Sequence, residues 1–212
     1  MMIYALTTTQ IIFIAVAGAI VAIGLFFALY IPISHLYHKK AYKRYYYKLI
    51  YKIALYKDYY LVNNFVFRLD QKRNATVDHI LFGDKFIYII IGQYYEGDLM
   101  GSASDPDLVL ISKNGQKTYV ENPYHSYNIL LSRFSTATGI PTNLMIGIQV
   151  VNNNCRMNIA TSSKQFYMVK RKDLKKLIKL IESRPVDAIQ AENLQKAVLI
   201  VNDLNRKNFK KI

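Results

Sequence analysis

From Met1 to Ser34 the chain carries no charged residue. Within that stretch Ile11 to Ile33, IIFIAVAGAIVAIGLFFALYIPI, forms an apolar run of 23 residues. A helix rises ~1.5 Å per residue, so the run is long enough to cross a ~30 Å hydrocarbon layer with some tilt. A secretory signal needs a positive start, a shorter apolar core and a small-residue cleavage site. The first ten residues here have no Lys or Arg. The pattern therefore predicts an uncleaved transmembrane helix over 11–34, behind a short extracytoplasmic segment 1–10.

Orientation follows from the flanks. Lys39, Lys40, Lys43, Arg44, Lys48, Lys52 and Lys57 all precede the first acid, Asp58. Basic flanks stay inside, which predicts a single-pass protein of the cell membrane with residues 35–212 in the cytoplasm. Residues 35–58 read as a helix continuing from the membrane. Lys40, Arg44, Lys48 and Lys52 recur every four residues as one basic stripe. Tyr42, Tyr45, Tyr46, Leu49, Ile53 and Tyr56 supply an apolar-aromatic side. Such a segment attracts anionic headgroups at ~1 kcal/mol per charge, and the same charges would neutralise nucleic-acid phosphates. Its place beside the membrane favours lipid. The net charge of +14 fits either polyanion. The wealth of Lys, Asn, Ile and Tyr is also what an AT-rich bacterial genome encodes, which weakens a binding argument from charge alone.

The remainder reads as one globular domain. Val62–Leu69 is a first strand, with Phe65, Phe67 and Leu69 on one side, and 70–76 is a polar loop. Apolar runs His79–Phe82 and Phe86–Ile91 flank a turn at Gly83-Asp84. The second run is apolar on both faces, as a central strand requires. Residues 98–106 read as a loop. Asp107–Lys113 and Gln116–Glu121 form a hairpin about Asn114-Gly115. Asn122-Pro123 opens a helix over 124–137 with Ile129, Leu130 and Phe134 inward. Leu144–Val151, Arg156–Ala160 and Gln165–Val169 are strands. Lys172–Ile181 is an amphipathic helix, and a last helix starts at Pro185 and buries Ile189, Leu194, Ala197, Val198 and Val201.

An acid, Asp78, at the entry to a strand, then a hairpin, then a buried strand ending near Gly97, resembles the nuclease-related domain (NERD) family of the restriction-endonuclease-like fold. The family pattern continues with Glu-x-Lys near the end of the second strand. Here the Glu position is Ile91 and the Lys position is Gln93. The family's Asn-Pro is matched by Asn122-Pro123, but the Gln three residues later is Ser126. The Gly and Glu that its first helix carries are missing between residues 35 and 57. The resemblance covers roughly residues 40–182. It implies an α/β (α+β) mixed sheet flanked by helices, restriction-endonuclease-like, preceded by one N-terminal transmembrane helix. It gives a NERD-like domain over 59–184 and a C-terminal helix and basic tail over 185–212.

The resemblance also implies a degenerate active site. Such nucleases need two carboxylates around a hard divalent ion, and a Lys to offset developing charge. Ile91 offers no oxygen and Gln93 no charge. Glu96 and Asp98 are the nearest acids that a rearranged site would use. The expected function is thus a pseudoenzyme that binds nucleic acid or a protein partner at the cytoplasmic membrane face. The alternatives are a metal-dependent nuclease with a rearranged site and a structural subunit of a membrane assembly. No cofactor is expected; Mg²⁺ enters only on the nuclease alternative. The contacts to the bilayer or to phosphates are expected at Lys40, Arg44, Lys48, Lys52, Lys172, Lys175, Lys176 and Lys179. Cys155 is the only cysteine, which excludes a disulfide framework and a Cys-rich zinc site. His79 is expected to be structural and to point away from Asp78 on the opposite side of its strand, and His125 to face solvent.

Overall fold

The computed structural model describes residues 8–68, 74–161 and 163–209. The chain divides into two compact units after Arg44. Helix α1, Thr8–Lys57, runs through the boundary and continues past Pro32. Between Ile12 and its end it contains a stretch long and apolar enough to cross a membrane. Its apolar side chains are not covered by the chain itself: Phe13 is 75% and Ile20 65% exposed. Water solvates such a surface poorly.

In the second unit the last turns of α1 join a mixed sheet. Tyr46, Ile50, Ile53 and Ala54 are buried, spaced as one helical face. Tyr45 and Tyr56, expected on that apolar side, are instead exposed. The stripe turns about 100° per residue, which carries them round to the outside. Strands β1 (Tyr60–Arg68), β2 (Asn74–Phe82) and β3 (Ile87–Gln93) form an antiparallel meander. Helix α2 (Pro123–Thr138) then crosses to β7 (Met145–Val151), parallel to β3, and β9 (Phe166–Lys170) adds in parallel. The sheet order is β1-β2-β3-β7-β9. Ile87 to Ile90 are all buried, as the two-faced apolar run requires.

The remaining strands leave this sheet. β4 (Asp98–Ser102), β5 (Asp107–Ile111), β6 (Lys117–Glu121) and β8 (Arg156–Ala160) make a second sheet of order β6-β5-β4-β8. These strands are half-exposed, so they cannot serve as two-faced core strands. The expected loop over 98–106 is corrected in its first half: Asp98 to Ser102 is a strand with partners on both sides, Ile111 and Arg156 at Asp98. Residues 69–73, expected as loop and strand end, lie outside the described residues.

Helices cover both faces of the main sheet. On one, Tyr127, Leu130, Leu131 and Phe134 of α2 and Ala197 and Val201 of α4 (Ala191–Phe209) pack on Ile80, Phe82, Ile87 and Ile89. Ile129, expected inward, is 55% exposed; Leu131 takes the buried position instead. On the other face lie the end of α1 and helix α3 (Leu174–Glu182), whose Leu174, Ile178 and Ile181 are buried. The last helix begins at Ala191, not at Pro185. The segment before it is held extended, with Ile189 N–H donating to Asp84 O at 2.7 Å.

Candidate functional site around Asp78

The meander that carries Asp78 has a fault in its pairing. Asn63 pairs with His79 and Phe65 with Val77, but the ladder skips Asn64 and Asp78. Asn64 adopts φ 51°, a left-handed conformation that Asn tolerates better than other side chains. The alternation of both strands slips there. Val62 and Phe65, three apart, reach the same core cluster as Val77 and Ile80, also three apart. A regular strand would send them to opposite faces.

The slip corrects the expectation that Asp78 and His79 point to opposite sides. Both meet Tyr47 of α1. Tyr47 Oη lies 3.3 Å from Asp78 Oδ1 and 3.3 Å from Asn64 Oδ1. The Tyr47 ring lies edge-on to the His79 ring, with centroids 4.4 Å apart. Burial, with the Asp78 charge, pushes the Tyr47 hydroxyl up to about 12, so it stays a donor at neutral pH.

Asp78 Oδ2 accepts the Gly92 N–H at 2.7 Å. The β2–β3 ladder ends at His79↔Ile90, so this carboxylate replaces the next backbone acceptor. Asp78 is therefore inside β2, which starts at Asn74, and not at a strand entry. Gly92 is required by its neighbour: a Cβ there would lie 2.5 Å from the Tyr46 ring. Ile91 turns the other way, half-buried against the α2–α4 core. Gln93 is exposed at the end of β3.

His79 is 1% exposed. Its Nδ1–H donates to Asn63 Oδ1 at 2.6 Å, which leaves Nε2 as a bare lone pair. Among the described residues Nε2 has no hydrogen-bond partner. Burial depresses this imidazole to about 4, so it is neutral at physiological pH.

The other expected positions lie apart. Asp98 belongs to β4 of the second sheet, and Glu96 is exposed, with Tyr94 Oη 3.5 Å from its Oε1. Among the described residues no three His, Cys, Asp or Glu converge as a metal-binding group. Around Asp78 the donor set does not fit a hard divalent ion: among the described residues it is one carboxylate, each oxygen already holding a protein donor, with no second acid converging on it. Cys155 is buried and its thiol is pushed up to about 11 by desolvation, far from a thiolate nucleophile. His125 is exposed, as expected, with Nε2 2.9 Å from Asp105 O.

Asn122 acts as a clamp. It is fully buried, caps α2 by accepting the Tyr124 N–H at 3.1 Å, and donates from Nδ2 to Ser102 O and Asp105 O at 3.1 and 2.6 Å. Pro123 at the first helical position completes the start. Gly97, the last residue of the motif, has φ +147°, and a Cβ there would collide with the Ile111 carbonyl.

The basic positions are exposed: Lys40, Arg44, Lys48, Lys52, Lys172, Lys175, Lys176 and Lys179. Within the second unit, two contacts bring the α1 and α3 groups side by side. Arg171 stacks over the Tyr45 ring at 5.2 Å and Lys175 over the Tyr56 ring at 6.0 Å. A cavity of about 530 Å³ opens between the end of α2 and α4, lined by Ile140, Leu144, Lys196 and Ile200, and takes in none of the residues around Asp78.

Sequence reasoning missed Tyr47, Asn63, Asn64 and Glu182. Glu182 caps the β2–β3 turn, accepting Tyr88 Oη–H at 2.6 Å and Lys85 N–H at 3.1 Å. Only the spacing of Tyr46, Ile50, Ile53 and Ala54 signalled which side of α1 meets the sheet. No family model, curated protein or solved structure matches the chain.

Proposed function

We propose that this chain is a membrane-anchored, non-catalytic protein of the nuclease-related kind. Its restriction-endonuclease-like domain faces the cytoplasm and binds nucleic acid or a protein partner there. The observation that carries this reading is the use of the Asp78 carboxylate. One oxygen closes the sheet at Gly92 N–H and the other meets Tyr47. A hard divalent ion needs more than one carboxylate; here each Asp78 oxygen already holds a protein donor and, among the described residues, no second acid converges on it.

Three further features support the assignment. The elements come in the expected order of helix, strands, helix, strands and helix. One step past the His79↔Ile90 pair lie Asp78 and Ile91, so the Asp and Glu positions of the pattern fall on neighbouring strands. Asn122-Pro123 opens the helix that follows the hairpin. The apolar stretch of α1 supports membrane anchoring, and the one-sided Lys/Arg distribution supports an external N-terminus.

The test is a cleavage assay on DNA and RNA with Mg²⁺ or Mn²⁺, using wild type, Asp78→Ala, and Ile91→Glu with Gln93→Lys. Wild type and Asp78→Ala are expected to be silent. The double change is expected to be silent as well, because Ile91 faces the α2–α4 core on the side of the sheet away from Asp78. Divalent-dependent cleavage by wild type that disappears in Asp78→Ala overturns it in favour of a rearranged nuclease.

A further inference from the structure

The second sheet ends on a strand with one side open. β6 pairs with β5 alone and stands last in the order β6-β5-β4-β8. The direction of its backbone groups follows from the hairpin. Ser112 N–H donates to Gln116 O at 3.0 Å. Beyond that pair the register runs Ile111↔Lys117, Leu110↔Thr118, Val109↔Tyr119, Leu108↔Val120 and Asp107↔Glu121. Bonded and non-bonded pairs alternate in an antiparallel ladder. Thr118 and Val120 therefore bond to β5, and the N–H and C=O groups of Lys117, Tyr119 and Glu121 point away from it. A Cβ on Gly97, just before β4, would meet Ile111 O, so Ile111 faces β4 as this phase requires. The side chains of Lys117, Tyr119 and Glu121 are exposed, Tyr119 by 75%. Val120 turns the other way and packs against the cluster of Leu99, Leu108 and Cys155.

We infer that β6 is a self-association edge, pairing antiparallel with β6 of a second copy of this chain about a two-fold axis at Tyr119. In that register Lys117 stands opposite Glu121 of the partner subunit, Glu121 opposite its Lys117, and the two Tyr119 rings meet at the axis. All three positions have outward backbone groups, so each pair can exchange two hydrogen bonds. Charge selects this occupant and this register. Sliding the partner by two residues loses both ion pairs. Sliding it by one sets outward groups against groups already bonded to β5. Within the chain Glu121 stands opposite Asp107, a like-charge pair that destabilises the hairpin. Lys117 of the partner subunit brings a cation to this acidic corner. Charged, short edges normally resist pairing; here the charges favour it in one alignment. A two-fold contact closes on itself, and the two four-stranded sheets become one of eight strands. With a strand of five residues on each side the interface is small, so the expected complex is reversible.

This goes beyond the binding role proposed above and does not depend on it. The experiment is disulfide trapping of the full chain in non-ionic micelles, with single cysteines in a Cys155→Ala background. The Cα atoms of a hydrogen-bonded antiparallel pair lie ~5.5 Å apart, within disulfide reach. Tyr119→Cys is expected to cross-link to itself. Lys117→Cys and Glu121→Cys are each expected to stay uncross-linked alone and to join when mixed. Ile129→Cys, exposed on α2, is the control and stays uncross-linked. Adding Lys117→Glu to the Tyr119→Cys chain slows cross-linking by about tenfold, because both ion pairs become like-charge pairs. Adding Glu121→Lys as well restores the rate, so the slow variant is not a folding defect. Cross-linking at position 119 no faster than at 129 overturns the inference. So does a charge reversal that changes nothing, or a double reversal that does not recover. Capture of Tyr119→Cys chains by Asn158→Cys on the opposite edge, β8, in preference to themselves overturns it in favour of an open head-to-tail assembly.

Discussion

His79 makes a prediction whose size follows from its burial. The ring is 1% exposed, edge-on to Tyr46 and Tyr47 at centroid distances of 5.2 and 4.4 Å. A proton on Nε2 would add a buried charge with no acceptor waiting for it. The ordinary value of 6.5 falls to about 4 for this reason. A depressed imidazole binds its proton more weakly in the folded state than in the unfolded one. Its contribution is therefore fully present above pH ~6.5 and is lost as pH falls through ~4. At about 1.4 kcal/mol per pKa unit the gap amounts to ~3 kcal/mol. The assay is urea unfolding of the full chain in a non-ionic micelle, from pH 7.5 down to pH 4, for wild type and His79→Gln. Glu182, half-buried with its carboxyl raised by burial, acts with the opposite sign: its contribution is largest below the unfolded value and is lost as pH rises. The difference between the two proteins cancels it along with the other acids. Wild type is expected to be the more stable at pH 7.5, and the gap to shrink or reverse by pH 4. A gap that stays constant across the window would falsify the burial argument.

Other consequences are local. Asp78→Ala strands the Gly92 N–H and takes one of two acceptors from the Tyr47 hydroxyl, which keeps Asn64 Oδ1, and should cost ~1–3 kcal/mol in urea unfolding; an unchanged midpoint would remove Asp78 from the sheet. Gly92→Ala drives a methyl into the Tyr46 ring and should cost ~1–3 kcal/mol. Tyr46→Leu should recover part of that loss in the double mutant, and strict additivity would refute the contact. Asn122→Ala removes the α2 cap, ~1–2 kcal/mol, and also frees the 102–105 loop, so proteolysis there should quicken; equal nicking rates would refute the clamp. Residues 100–120 should resist protease added to intact cells, as should a cysteine placed there in a Cys155→Ala background resist thiol reagents; cleavage or labelling there would reverse the orientation.

The parts of the fold legible in the sequence were those fixed by local rules. Ile87 to Ile90 could only be a two-faced strand, and Asn114-Gly115 could only turn. Asn122-Pro123 started a helix because the side chain and the ring act on adjacent backbone. What escaped were features made by distant partners. Asp98 to Ser102, with its Gly and Ser, has the composition of a loop and is a strand because β5 and β8 flank it. Pro185 carries a helix-start signal, but Asp84 O holds Ile189 extended and delays the helix to Ala191. The slip at Asn64 and Asp78 defeats any reading that counts alternate residues. The direction of Asp78 depends on a left-handed Asn one strand away.

That slip also sets the surroundings of Asp78 and of the β3 residues beside it. Ile91 shares its side of β3 with Ile87 and Ile89, which pack under α2 and α4. A carboxylate in its place would be drawn partly out of water and pay for it in a raised pKa. Gly92, next along, must stay bare because Tyr46 lies on it. Tyr46 and Tyr47 together hold His79 and Asp78 from the α1 side. Asp78 supplies the acceptor that the ladder lacks at Gly92. Replacing Asp78 removes a structural hydrogen bond whether or not a metal was ever bound. The acid at position 78 is accounted for by the fold, and its presence there is no argument for catalysis.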